Sequence, residues 1–421
     1  MKVTLINTSD AGGGAPAAGM RLLKALRQKK VDAKLLVKEK KTEEPAVIQA
    51  GSGRFYRFIN QINFLYERLP FIWFRAKSRE VRFAFSPADA GIDISDNPAV
   101  KNADILHLHF TNLGFLSIND IKKLLTAGKP VVWTLHDMWT FTGGCHYSAD
   151  CDHFLQQCGN CWMLRSPGDN DSSHSGWLHK AGIYNAAGKK PVMITCSRWL
   201  AGVAKTSSLL KDFRIEAIPN PIDVSLFSPG NKEELRKRWN INQKAKIVLF
   251  GAANILDRRK GLNYLVEALD ILKTKYDGLE DMEIVIFGKN KSFDVNVFPF
   301  KVNELSIIRS QQQMAELYGL ADLFVTPAIE DNLPNTVMES LACGTPVVAF
   351  DTGGLPEMVD HMQNGYLAEF KSAADLATGI HWILTSDKKS FFAENARKKV
   401  LDNFTNDIVA EKYLAVYQSI L

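Results

Sequence analysis

The sequence predicts an α/β protein made of two doubly wound, Rossmann-like domains, and three observations carry that prediction. At 421 residues the chain is long enough to bury two full cores. Near its start an apolar run from Val3 to Asn7 leads to Gly12, Gly13 and Gly14, then to Leu22, Leu23 and Leu26 at helical spacing. A strand, a glycine turn and a helix open a doubly wound nucleotide-binding fold, with the ligand at the helix N-terminus. The spacing is not G-x-G-x-x-G, so by itself the turn also reads as a plain flexible one. The same order restarts at Lys246–Gly251 (KIVLFG), with a loop over Asp257 to Gly261 and a helix through Leu265, Ala268 and Leu269. Between the two patterns Pro219, Pro221 and Pro229 stand among polar residues, as in an interdomain linker. The expected division is 1–218, 219–403 and a final amphipathic run over 404–421.

Composition narrows the class. A hydrophobic content of 46% with 23% charged residues is that of an ordinary globular protein. The net charge of +5 and pI near 8.7 are too mild to argue for nucleic acid. The start, MKVTLINTSD, has too short an apolar run for a secretory leader. No segment approaches the ~20 apolar residues of a membrane span. The expected location is therefore the cytoplasm, where the six cysteines would be thiols or metal ligands.

In the first half, Phe55, Phe58, Ile59, Ile62, Leu65, Tyr66 and Leu69 recur at helical spacing, interleaved and followed by basic residues through residue 83. Two readings stay open for 54–83: a helix that packs its apolar face on the domain, or a basic amphipathic helix suited to an anionic membrane surface or a lipid-linked acceptor. Asp104–Phe110 and Val131–His136 read as adjacent parallel strands. His107 and His109 alternate with leucines and read as core residues. His136 ends its strand, where ligands sit in open α/β sheets, so it is the site candidate of this half, with Asp137 second. The loop over 139–165 holds Cys145, Cys151, Cys158 and Cys161. Together they could close a structural zinc site, or they are reduced thiols in a compact loop. Asp150-Cys151-Asp152 and Asp169-Asn170-Asp171 match D-x-D by chance composition, since neither follows a strand.

In the second half, Arg258, Arg259 and Lys260 precede a helix at the end of the domain's first strand, a place suited to phosphates. The densest stretch runs from Asp322 to Glu357. The strand at Leu323–Val325 ends in a polar loop, and Pro334 stands where a first-turn proline costs no hydrogen bond. The amides of Asn335 and Thr336 then form the positive end of a helix dipole, an anion site. Asp331 and Glu339 bracket it. Gly344 closes the helix, Pro346–Phe350 forms a strand, and Gly353-Gly354 makes a turn where backbone can approach a ligand.

Asp331 and Glu339 separated by seven residues, then ACGTPVV over Ala342–Val348 and GGLPE over Gly353–Glu357, resemble the donor-binding signature of the family 4 retaining glycosyltransferases. The first acid is usually Glu there and is Asp331 here, beside Glu330. Thr134–Asp137 resembles the family's T-x-H-D segment, and Asn220–Pro229 its N-x-[VI]-D-x-x-x-F-x-P connector. The cysteine-rich insertion is similar to that of the bacterial capsule and colanic-acid branch.

The resemblance implies the GT-B arrangement, with two domains facing a cleft and the last helix crossing back to the first. It implies retaining transfer of a hexosyl group from a UDP- or GDP-sugar to a glycan or lipid-linked glycan in bacterial surface polysaccharide synthesis, at the inner face of the membrane, with no cofactor or catalytic metal. Lys260, Arg258 and the backbone of Asn332, Leu333, Pro334, Asn335 and Thr336 would hold the leaving diphosphate, with Gly13 and Gly14 near the phosphates or the acceptor. Glu339 would take the ribose hydroxyls, and Asp331 with His136 the donor sugar. Other outcomes stay open: a sugar-nucleotide epimerase of the same architecture, an inverting transferase with His136–Asp137 as base, or a non-catalytic subunit that binds nucleotide-sugars.

Overall fold

Strands form where runs of Val, Ile and Leu can bury both faces, as parallel strands covered by helices require. The computed structural model describes residues 1–289, 294–308 and 310–421. Two units result: Met1–Asn220 together with Val409–Leu421, and Pro221–Ile408.

The first unit holds one parallel sheet of β1 (Lys2–Ser9), β2 (Asp32–Glu39), β3 (Val47–Gln49), β4 (Ile105–Leu108), β5 (Val131–Leu135), β6 (Val192–Thr195) and β7 (Ile215–Ala217), in the order β3-β2-β1-β4-β5-β6-β7. Side-chain alternation splits each strand between two cores. Ile6, Leu106, Leu108, Trp133 and Leu135 face one. Val3, Leu5, Ile105 and Val132 face the other, and there the helix Asn406–Gln418 lays down Val409, Tyr413, Val416 and Tyr417.

The second unit repeats the plan with β8 (Lys246–Asn254), β9 (Met282–Lys289), β10 (Lys301–Glu304), β11 (Leu323–Thr326), β12 (Val347–Phe350) and β13 (Gly365–Ala368), ordered β10-β9-β8-β11-β12-β13. In both sheets the chain runs outward from the first strand, returns, and continues on its other side. The first and fourth strands of each unit therefore flank a topological switch point, where open α/β sheets bind ligands beyond the strand ends.

The proline-rich stretch read as a linker begins at the boundary between the units and is tied to the second: Arg397 donates to the carbonyls of Val224 and Phe227 at 2.8 and 2.6 Å, and the Ile222 amide donates to the Phe404 carbonyl at 2.9 Å. One guanidinium with five fixed donors ties the segment to the second unit. Of the two readings open for 54–83, the helix Gly53–Pro70 does not take the one that packs its apolar stripe on the domain. Its buried residues are Tyr56, Asn60, Glu67 and Arg68, and its phenylalanines Phe55 and Phe58 face solvent.

Candidate active site

In the second unit the switch point is built by the loops after β8 and β11, and the backbone laces them together. The turn Arg258–Lys260 follows β8, with Asp257 as its cap, and the Arg259 carbonyl accepts from the Ile329 amide at 2.8 Å. Gly261 then takes φ +68°, and a Cβ there would stand 1.8 Å from the Pro327 carbonyl oxygen. Only glycine fits that position, through both its left-handed backbone and the close approach. Across the seam Lys260 Nζ reaches Asp331 Oδ2 at 2.5 Å. Asp331 and Asn332 are buried, Lys260 is partly so, and Arg258 is exposed.

The Asp331 loop is braced from its far side. The Gly354 amide donates to the Asp331 carbonyl at 3.1 Å, and a Cβ on Gly353, at φ +59°, would sit 2.1 Å from that same oxygen. The Gly353-Gly354 turn thus admits the backbone of Asp331, where the sequence alone suggested a ligand. The helix Asn335–Ala342 follows, with Pro334 one residue ahead of it, and its in-helix amide bonds begin at Val337 and Met338 on the Pro334 carbonyl. The first-turn positions Asn335 and Thr336 carry the positive end of the dipole. Glu339 is buried, and its Oε2 accepts from the Tyr318 hydroxyl at 3.1 Å. Tyr318 lies on Gln311–Leu320 outside any motif, so the sequence offered no signal for it.

The first unit fills its switch point differently. Gly13 and Gly14 open the helix Gly14–Gln28 after β1. His107 on β4 and His109 just past it are buried, their rings tilted against each other at 4.3 Å between centres. His109 Nδ1 stands 3.0 Å from His136 Nε2, just past β5. His136 Nδ1 lies 3.7 Å from Cys196 Sγ. His107 meets Tyr417 and Thr134, each at 2.7 Å, and Thr134 meets Tyr413 at 3.0 Å. Burial drives all three imidazoles to the neutral form, His107 to about 3 and His136 to about 4, with His109 also well below its ordinary value. So the two histidines read as core residues are core, and one of them also touches the site candidate.

Asp137 directs its carboxylate to Trp139 and His146. Its carboxylate accepts from the Trp139 amide at 2.9 Å and faces His146 Nδ1 at 2.8 Å, while His146 Nε2 reaches Ser86 Oγ at 3.0 Å. Burial works against the Asp137 charge, but His146 and these hydrogen bonds hold the carboxyl below its usual range. The Asp137 carboxylate is thus engaged by the Trp139 amide and His146.

Structural zinc is not shown at the cysteine-rich loop. Among the described residues, no group of three or more His, Cys, Asp or Glu stands where it could hold a metal ion. Cys145, Cys151, Cys158 and Cys161 are free thiols. The loop is closed instead by apolar packing of Cys161, Met163 and Leu164 against Phe71 and Phe85, and by the Gly143 amide donating to Cys158 Sγ at 3.1 Å. Asp171, half of one D-x-D match, caps the helix Ser172–Ala186 through the Ser173 and His174 amides.

Comparison with known proteins meets this geometry on both units. Residues 12–226 match the model of Glycosyltransferase Family 4, and residues 231–399 that of Glycosyl transferases group 1. The chain is 22% identical over 225 residues to the N-acetyl-alpha-D-glucosaminyl L-malate synthase of Bacillus anthracis, covering 52% of this chain and 58% of that one. It is 26% identical over 192 residues to the N,N'-diacetylbacillosaminyl-diphospho-undecaprenol alpha-1,3-N-acetylgalactosaminyltransferase of Campylobacter jejuni, covering 45% and 49%. Those matches span only about half the length of these curated relatives. Among solved structures, Anabaena Alr3699/HepE in complex with UDP and glucose superposes over 100% of both chains with a TM-score of 0.63 at 16% identity, a likeness of fold. With a family model spanning more than half of its length, two parallel Rossmann-like sheets and neighbours of GT-B fold, the chain belongs to glycosyltransferase family 4.

Proposed function

We propose that this chain transfers a sugar, with retention, from a nucleotide diphosphate donor to a glycan or lipid-linked glycan in bacterial surface polysaccharide synthesis. One observation carries the reading: Lys260 and Asp331 meet at 2.5 Å across the β8/β11 switch point, directly ahead of the helix that starts at Asn335. A cation, a helix N-terminus and a carboxylate at one strand edge suit a diphosphate that carries hydroxylated groups.

The roles follow from that placement and from the family pattern. Lys260, Arg258 and the backbone of Asn332 to Thr336 stabilise charge on the departing diphosphate, the largest lever such a site has. Glu339, oriented by Tyr318, takes the ribose hydroxyls. Asp331 takes the sugar hydroxyls and keeps Lys260 aimed into the loop. His136 serves the donor sugar as a neutral hydrogen-bonding group, and Gly13 with Gly14 serves the phosphates or the acceptor. With cations and a helix dipole on the phosphates, the transfer needs no divalent metal. The Campylobacter relative is named for a diphospho-undecaprenol-linked substrate and the Anabaena structure for bound UDP, which supports a lipid-linked acceptor and a uridine donor for this chain.

Nucleotide release from a panel of UDP- and GDP-sugars, in EDTA, with and without a lipid-linked acceptor, tests the reading. Acceptor-dependent release is expected. Epimerisation without acceptor would assign the site to an epimerase, and no turnover despite donor binding would make the chain a binding subunit. Activity lost in EDTA would contradict metal-free transfer.

A further inference from the structure

The segment Gly53–Phe83 turns the usual amphipathic logic inside out. Its helix is held by polar groups: the Tyr56 hydroxyl donates to the Lys38 carbonyl at 3.1 Å and Asn63 to the Gly91 carbonyl at 2.8 Å. Glu67 accepts from the Gly114 amide at 2.6 Å, and Arg68, fully buried and 2.7 Å from Glu67, donates to the Phe85 carbonyl at 2.9 Å. With these bonds anchoring the inner face, the apolar stripe is free to point outward. Among the described residues, the only large hydrophobic side chains more than half exposed are six aromatics of this segment (Phe55, Phe58, Tyr66, Trp73, Phe74, Phe83) and the terminal Leu421. Aromatic residues ordinarily bury, and a contiguous exposed set marks a surface that meets something.

Charge says what it meets. Residues 53–83 contain seven Arg and Lys against two Glu, a surplus as large as the +5 of the whole chain, so the rest of the protein sums to neutral. Arg68 and Glu67 are buried against each other, and Arg75 lies 3.8 Å from Asp89, but Arg54, Arg57, Lys77 and Arg79 are exposed beside the aromatics. A second copy of this chain would bring the same cationic face against itself, which disfavours a symmetric self-contact. A bilayer with anionic headgroups satisfies both halves: aromatic rings sink to the headgroup boundary while arginines stay with the phosphates. The proline at the helix end, Pro70, leads into a π-type turn, Phe71–Arg75, which carries Trp73 and Phe74 at the tip of the segment.

We propose that Gly53–Phe83 is a docking surface for an anionic membrane. It stands on exposure and charge alone and does not depend on the transferase reading. The test is co-sedimentation of the full chain with vesicles of phosphatidylcholine alone, or with about one-third phosphatidylglycerol. Binding is expected only to the anionic vesicles and should weaken as salt is raised. Trp73→Ser with Phe74→Ser should weaken it by roughly tenfold or more through lost insertion. Arg54→Glu with Arg57→Glu should weaken it on the order of tenfold, while Lys244→Glu with Lys275→Glu, on exposed sites of the other unit, should leave it intact. All variants should keep the wild-type melting temperature and far-UV circular dichroism, showing that they fold. Absence of binding by the wild type, equal binding to neutral vesicles, or equal loss in the remote pair would overturn the proposal. So would a wild-type dimer in solution that the Trp73/Phe74 pair dissociates without change in vesicle binding.

Discussion

The two units share a strand order but differ in what lies beside their fourth strand. In the second, the seam between β8 and β11 is ionic and backbone-built: Lys260 on Asp331, Gly261 against Pro327, Gly353 against Asp331. In the first, the seam next to β4 is filled by neutral imidazoles and covered by the tyrosines of the last helix. One topology therefore supports an anion site where loops carry charge and amides, and a hydrogen-bonded histidine cluster where the fourth strand and the strand ends carry imidazoles. Chemistry is placed by what sits beyond the strand ends, and the sheet only decides where that is.

The contrast can be broken most sharply at Lys260. Lys260→Ala should lower transfer by roughly a thousandfold in a nucleotide-release assay, since it removes a stabilising charge from the leaving group. His136→Ala should lower it by only about ten- to a hundredfold, because a neutral imidazole contributes a hydrogen bond and no charge. Equal losses would erase the distinction between the units. Gly261→Ala should destabilise the second unit by about 3 kcal/mol in denaturant unfolding, from left-handed strain together with the Pro327 contact, and leave the first unit unchanged.

Acid separates the units in the other direction. His107 and His136 stay neutral down to about 3 and about 4, whereas an unfolded histidine takes up a proton near 6.5. The unfolded state thus binds more protons below that value, so the stability these groups give is complete above pH 6.5 and drains as pH falls toward 4. Each contributes a slope of about 1.4 kcal/mol per pH unit within that window. The second unit, whose His361 and His381 are not buried, should show less of this loss when the melting of each unit is followed against pH. The smallest effect is expected from Tyr417→Phe, which deprives buried His107 of its 2.7 Å partner. A cost of about 1–2 kcal/mol confined to the first unit should appear in its unfolding midpoint.

Much of the second unit was readable because its site is written in short-range chemistry. Glycines with positive φ, a proline before a helix and acids at fixed spacing each state a local requirement that no partner elsewhere has to complete. The short strands β3, β10 and β13 escaped because VIQ, KVNE and GYLA lack the unbroken apolar run that marked the equally short β11 and β12. Tyr318 on Glu339 and Tyr417 on His107 escaped for another reason: each joins two separate elements outside any motif, 21 residues apart in the first case and 310 in the second. The stripe at Phe55–Leu69 showed its period but not its direction, because period alone does not say which face the polar anchors Glu67 and Arg68 would claim. The cysteine spacing gave no more than a possibility: Cys145 and Cys161 lie in one apolar cluster and Cys158 in the larger core.

The most direct measurement is a hydrogen-exchange footprint of the full chain with and without a saturating nucleotide-sugar. Protection centred on 258–261 and 331–337, lost in Lys260→Ala, is the predicted result. Protection that leaves those two loops untouched would contradict the account.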